Sequence, residues 1–330
     1  MKKIINSTET VVKELCEGMV KAYPSALTWD EQNNIISRRE HATKKVNLIS
    51  GGGSGHEPSH AGFVGKGMLD AAVCGDVFAS PSIMQVYNAI LQNASEKGVL
   101  LVIKNYAGDM MNFSGAADMA REDDEIHVEK VCVNDDVSIV NPSERRGVAG
   151  TIFVHKIAGA LAETGASLQE VKAVAEKVID NVRTMGFALK PCTVPAKGEP
   201  TFSLRENEIE MGIGIHGEAG VVREVLGTAT VIAEKLVGKI VADLPFSAGD
   251  EVALLVNGLG GTPIQELFIL NKDVRNVLDQ KRIKVYHTMI GNYMTSIDMA
   301  GASVTLLRLD AELKRLLDAH ADTAAWKTCG

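Results

Sequence analysis

Three stretches of the chain set a histidine, or a lysine and an aspartate, beside glycine at or after the end of a strand-like run. The first is Gly51-Gly52-Gly53-Ser54-Gly55-His56-Glu57-Pro58. Consecutive glycines let the backbone approach a small ligand closely, and their N–H groups can form a nest for an anion or an oxygen. His56 brings a general base to the same place. A structural turn needs one or two glycines, so the extra ones favour ligand contact over turn geometry alone. The second stretch is Lys104-Asn105-Tyr106-Ala107-Gly108-Asp109. Lys104 can donate to an oxygen, and Asp109 can accept a hydroxyl proton or, equally well, cap a following helix. The third is Gly212-Ile213-Gly214-Ile215-His216-Gly217-Glu218. Glycines along its own face leave the His216 ring unobstructed, and neutral imidazole is a nucleophile as well as a base. A lone histidine at a strand end is more often structural, so this stretch does not stand by itself. His41, His60, His127, His155, His287 and His320 lack such a setting and read as surface or internally satisfied groups. His60, trailing the first stretch, is the least clear of them.

Other chemistries find little support. The first stretch fits neither GxGxxG nor GxxxxGK[ST], and Gly62-Phe63-Val64-Gly65-Lys66-Gly67 is too short for a phosphate loop and lacks the Ser/Thr that would hold magnesium. The five cysteines (Cys16, Cys74, Cys132, Cys192, Cys329) have no zinc spacing, and no metal site is expected. They read as reduced thiols of a cytoplasmic protein. Met1-Lys2-Lys3 runs into polar residues instead of an apolar segment, so no export signal is expected, and no run of about eighteen apolar residues could span a membrane. With 34 basic against 42 acidic residues the net charge is −8, which argues against a nucleic-acid surface. At 330 residues, with 45% hydrophobic and 23% charged, the chain has the make-up of a folded protein of about two domains.

The elements that must position these groups alternate. Asn6 with Glu9 has the spacing of a capping box, and Val11, Val12, Leu15, Met19 and Val20 follow at helical spacing. Strand-like runs at 46–50, 99–103 and 127–133 enclose helical segments at 83–91 and after Asp109, a βαβ pattern with a largely parallel sheet. Two long helices follow, one over 147–163 and one from Ser167 to Gly186, with Glu170 completing a box at Ser167. A proline-rich loop spans 191–200. Beyond it, alternation over Ile209–Ile215 predicts a half-buried strand. A helix over 228–242, a strand over 251–257, the turn Gly258–Pro263 opening another helix, and strands at 284–290 and 303–309 complete a second α/β unit.

Taken together, SGGGSGHEP, KNYAGD and GIGIHGE resemble the dihydroxyacetone kinase substrate-binding subunit family, DhaK. The resemblance extends over essentially the whole chain, including Ser143-Glu144-Arg145-Arg146-Gly147-Val148, Cys192-Thr193-Val194-Pro195 and Thr295-Ser296-Ile297-Asp298-Met299. It implies two α/β domains, each a mixed or largely parallel sheet covered by helices, here 1–185 and 186–330, in a homodimer. It implies that His216 captures the carbonyl of dihydroxyacetone as a hemiaminal and that His56 is the general base. Asp109 would contact the substrate hydroxyl and share in acid–base work, and Gly53, Ser54, Gly55 and Lys104 would make the remaining contacts.

ATP-dependent members carry a further nucleotide domain, and no nucleotide motif occurs in these 330 residues. The resemblance is therefore to the phosphotransferase-system type. There ADP or ATP with Mg sits on a separate DhaL-type subunit, recharged by a DhaM-type phosphocarrier, and no cofactor is expected on this chain. The alternative is a catalytically idle paralogue that binds dihydroxyacetone and acts as a transcriptional coactivator.

Overall fold

A computed structural model describes residues 2–218 and 220–328; Cys329 lies outside the described residues. The chain forms two compact units whose segments interleave, Lys2–Val133 with Ile152–Val178 and the chain from Leu313 on, and Asn134–Thr151 with Ile179–Glu312.

In chain order the first unit contains α1 (Val11–Ala22), β1 (Leu27–Asp30), β2 (Ile35–Arg38), β3 (Asn47–Ser54), β4 (Gly65–Lys66), β5 (Ala71–Val77), α2 (Ile83–Asn93), β6 (Val99–Lys104), α3 (Ala107–Asp123), β7 (Val128–Val133), α4 (Thr151–Glu163) and α5 (Leu168–Asn181). Its six-stranded sheet, counted among the described residues, runs β1-β2-β5-β3-β6-β7. The pairs β3–β5, β3–β6 and β6–β7 are parallel, while β1–β2 and β2–β5 are antiparallel. Ile49, Val73, Leu101 and Ile103 on this sheet pack with Val86, Ala89 and Ile90 of α2 and with Phe113, Ala116 and Ala117 of α3 into one buried cluster.

The second unit contains β8 (Val182–Lys190), β9 (Glu208–Met211), β10 (Val222–Val225), α6 (Ala229–Asp243), β11 (Glu251–Gly258), α7 (Ile264–Gln280), β12 (Lys284–Gly291) and β13 (Ala300–Leu309). Among the described residues its sheet, β10-β9-β8-β13-β11-β12, is parallel only at β11–β12. Leu236, Val237 and Ile240 of α6 and Leu270, Val274 and Leu278 of α7 close over it. After it come α8 (Ala311–Asp318), β14 (Ala321–Thr323) and β15 (Lys327–Thr328), the two strands adding to β4 in a small sheet of the first unit. The expected fold class, α/β with each sheet mixed or largely parallel and covered by helices, is the one observed, and both sheets are mixed. Among the described residues no helix is long and apolar enough to cross a membrane.

Several boundaries differ from the sequence reading, each for a physical reason. The cut at 185/186 falls inside β8, a strand hydrogen-bonded on both sides to β9 and β13. The two long helices before it stay with the first unit, as in the expected 1–185, whereas Asn134–Thr151 goes to the second unit and the chain from Leu313 on to the first. His155 of α4 meets His60, Glu163 meets Arg38, and Lys172 of α5 meets Glu129. The helix expected to reach Gly186 ends at Asn181, although its capping box is as read: Glu170 accepts from the Ser167 N–H and Ser167 from that of Glu170. The Asn6 box does not form. Asn6 donates instead to Glu14, and α1 starts at Val11 after Thr10. The strand expected over 209–215 stops at Met211, because Gly212 takes a φ of +74° that no extended strand allows.

Candidate functional site

The first unit's sheet has its switch point between β3 and β6. The chain leaves β3 towards β5 on one side and leaves β6 towards β7 on the other, which opens a crevice at their carboxyl ends. Gly51, Gly52 and Gly53, read from sequence as a loop, are residues of β3 itself. Glycine is required there by crowding from both sides. A Cβ on Gly52, whose φ is +143°, would lie 2.6 Å from Lys104 Nζ and 3.1 Å from Asp109 Oδ2. One on Gly53 would lie 2.6 Å from the Ala79 nitrogen. The floor of the crevice is therefore backbone.

Lys104 ends β6, and Asp109 lies in the first turn of α3, so Asp109 is not the helix cap. Lys104 Nζ stands 3.4 Å from Asp109 Oδ2 and 5.5 Å from the centre of the Tyr106 ring. Both partners are buried, at 0% and 3% exposure, so the pair works in a medium that strengthens charge. Ser54 Oγ donates to the Gly75 carbonyl at 2.7 Å, which leaves its oxygen lone pairs as acceptors. The Gly55 N–H donates to both Glu57 carboxylate oxygens at 3.1 Å. The expected nest is thus occupied at Gly55 by a carboxylate, which suits a neutral hydroxyl ligand better than an anion. Burial pushes the Glu57 carboxyl above its ordinary range.

His56 is fully buried and its ring stacks on Phe78, with centroids 5.2 Å apart and planes 17° from parallel. Phe78 adopts a φ of +59°, a strained conformation for a bulky residue, and its N–H donates to the Ser54 carbonyl. No sequence motif marks Phe78; the contact follows from the β5–α2 connection folding over β3.

His60 and His155 also depart from the sequence reading. Both are buried, and His60 Nδ1 lies 3.0 Å from His155 Nε2, so one proton is shared between them. Among the described residues, His60 Nε2 and His155 Nδ1 have no hydrogen-bond partner. Burial, with Lys104 nearby, holds His60 well below its ordinary 6.5 and His155 down to about 3. Both rings are therefore neutral in the fold, whereas the unfolded chain takes up their protons. The contribution of His155 to stability is complete above pH 6.5 and is lost as pH falls towards 3, and that of His60 falls away in the same direction. The unfolding free energy of His155→Gln, measured by urea titration from about pH 6 to pH 4, should therefore fall less steeply than that of the wild type, by about one proton. Equal slopes would overturn this account.

His216 belongs to the second unit. It lies in the loop between β9 and β10 rather than at the end of a strand, and it is half-buried. The β9–β10 hairpin is closed by the Val221 N–H donating to the Met211 carbonyl. The His216 N–H donates to Glu218 Oε2 at 2.8 Å. The structure thus brings His56, Lys104 and Asp109, with Gly53, Ser54 and Gly55, to one edge of the first unit's sheet, and sets His216 on a hairpin of the second. The wider surface clefts, one lined by Lys97, Arg121 and His127 and another by Met185, Met211 and Val221, contain none of these residues. Among the described residues no group of three or more His, Cys, Asp or Glu could hold a metal ion. Cys16, Cys74, Cys132 and Cys192 are free thiols.

A family model for the Dak1 domain matches residues 17–325. The chain is 49% identical over 330 residues to the PTS-dependent dihydroxyacetone kinase 1, dihydroxyacetone-binding subunit DhaK, of Listeria innocua, covering 99% of this chain and 100% of that one. Among solved structures, the dihydroxyacetone kinase operon co-activator Dha-DhaQ superposes with a TM-score of 0.91 at 38% identity, over 96% of this chain and 98% of its own. The dihydroxyacetone kinase of C. freundii superposes with a TM-score of 0.89 at 36% identity, over 99% of this chain and 60% of its own.

Proposed function

The chain belongs to the Dak1 family, and on that premise we propose that it is the dihydroxyacetone-binding subunit of a phosphotransferase-system-dependent dihydroxyacetone kinase. The observation that carries this reading is the crevice floor of Gly52 and Gly53, where no side chain fits beside Lys104 and Ala79. Such a floor suits a ligand of triose size.

His216 captures the substrate. The bare imidazole nitrogen bonds the carbonyl carbon, the ring's other N–H gives up its proton as the carbonyl oxygen takes one up, and no group leaves. Dihydroxyacetone has about six heavy atoms, so at no more than about 1.5 kcal/mol per atom non-covalent contacts alone give limited affinity. The covalent bond adds to it and orients the terminal hydroxyl. It also rejects glycerol, which offers similar hydroxyls but no carbonyl. His56 withdraws the hydroxyl proton as the oxygen attacks the phosphoryl group, and Asp109, held by Lys104, orients that hydroxyl. Ser54 accepts from a substrate hydroxyl, while Gly53 and Gly55 contribute by their bare backbone. The phosphoryl group would come from ATP held with Mg by a DhaL-type partner, leaving ADP there for a DhaM-type phosphocarrier to recharge. The subunit works as a cytoplasmic homodimer.

The likeness to a co-activator structure supports a second reading, a paralogue that binds the triose and activates transcription. Identity is higher to the kinase subunit, and His56 and Asp109 are both present, groups a sensor does not need. The test mixes the protein with nucleotide subunit, phosphocarriers, phosphoenolpyruvate and dihydroxyacetone. Dihydroxyacetone phosphate is expected. No product from folded protein with authentic partners would overturn the kinase reading, and capture of a transcription regulator in place of the nucleotide subunit would support the co-activator.

A further inference from the structure

We propose that Arg146 and Glu218 form a clamp that fixes the main chain on both sides of His216 and thereby sets how readily that imidazole captures a carbonyl. The inference rests on reading His216 as the capturing group. The loop 212–218 contains Gly212, Gly214 and Gly217, and two of these have left-handed φ values of +74° and +72°. A segment so rich in glycine loses much conformational freedom when ordered, so something outside it must hold its shape.

Arg146 does this from the 134–151 segment of the same unit. Its Nε and Nη2 lie 2.7 and 2.6 Å from Asp136 Oδ2, and Nη2 also donates to Ser138 Oγ at 2.9 Å. With the guanidinium so anchored, Nη2 donates to the Gly212 carbonyl at 2.8 Å and Nη1 to Glu218 Oε1 at 3.3 Å. The other Glu218 oxygen accepts the His216 N–H. One planar fork therefore joins Gly212 to Glu218, and Glu218 caps the amide of the histidine between them. The loop wraps around this ion pair. A Cβ on Gly214 would overlap the Glu218 carboxylate and lie 2.7 Å from Arg146 Nη1. A lysine could replace the charge of Arg146 but not the fork.

Arg146 and Glu218 are positioning residues. Hemiaminal formation requires the imidazole nitrogen to be presented to the carbonyl carbon, and a loop sampling many shapes lowers the effective concentration of that nitrogen. Loosening the clamp therefore raises the dihydroxyacetone concentration needed for capture, while turnover of captured substrate changes little.

The experiment uses the full chain and four proteins: wild type, Glu218→Ala, Glu218→Gln and Arg146→Lys. Adduct formation is titrated by intact mass, kcat and KM are measured in the reconstituted transfer, and hydrogen exchange across 212–218 is followed without substrate. Glu218→Ala is expected to raise the half-saturating dihydroxyacetone and KM about 10- to 100-fold, with kcat within about threefold and faster exchange at the His216 amide. Glu218→Gln keeps an oxygen for that amide and should recover most of the loss, whereas Arg146→Lys should fall between. Unchanged half-saturation in Glu218→Ala overturns the clamp, whether or not exchange rises, and so does a Glu218→Gln no better than Glu218→Ala. A wild type that forms no adduct refutes the capture reading instead. In that case unchanged exchange in Glu218→Ala also overturns the clamp, and faster exchange upholds it as an ordering device of the loop.

Discussion

Wild-type protein incubated with dihydroxyacetone is expected to gain the mass of the whole triose, and His216→Ala to gain none. The chemistry makes the test specific. A lysine amine attacking the same carbonyl would go on to expel water and leave an imine. An imidazole nitrogen carries no second proton to expel, so its adduct keeps every atom of the substrate. A whole-triose adduct lost on removing one imidazole therefore reports hemiaminal capture and excludes Lys104 as the attacking group. Because the ligand is small, loss of the covalent bond should also raise KM by about 100-fold or more. An adduct of equal yield in His216→Ala would refute the assignment.

His56→Ala is expected to separate binding from transfer. While His216 lies in the second unit, the His56 imidazole is buried against Phe78 just beyond β3, in the first. Its removal should leave the adduct titration nearly unchanged, while phosphorylation at saturating dihydroxyacetone falls by about 10²-fold or more, the range of a lost general base. Turnover equal to that of the wild type would remove His56 from the mechanism. A parallel loss of adduct would show a structural role instead. Together the two variants are expected to dissect the reaction, the first failing at capture and the second at transfer.

Where local signals agreed with the environment, the fold was legible from the residues. Five apolar residues at Val99–Ile103 read as a buried strand and belong to β6, paired in parallel with β3 and β7. Thr228 reads as the start of a helix and caps α6, accepting from the Val231 N–H. Readings failed where a distant partner overrode the local signal. The residues of Val182–Lys190 can follow a helix without interruption, yet they form β8 because β13 and β9 offer hydrogen bonds on both flanks. Gly51–Gly53 look like a loop and are strand, because β5 pairs with them directly. Ile213 and Ile215 extend the alternation of β9 and are buried, yet they lie outside the strand, which ends at Met211.

The sequence by itself determined which groups are available: histidines, a lysine and an aspartate among glycines, with no motif for a nucleotide. Their chemistry depends only on residue type and short spacing, and both are written in the chain. Only the tertiary structure decided which groups meet. His60 finds His155 across 95 positions, and Arg146 reaches Glu218 across 72. The Lys104–Asp109 pair fills the space a side chain on Gly52 would need, and Phe78 covers His56. These contacts are set by strand order and by helices packing over sheets, and the energies that select them come from burial and pairing of residues far apart in the chain.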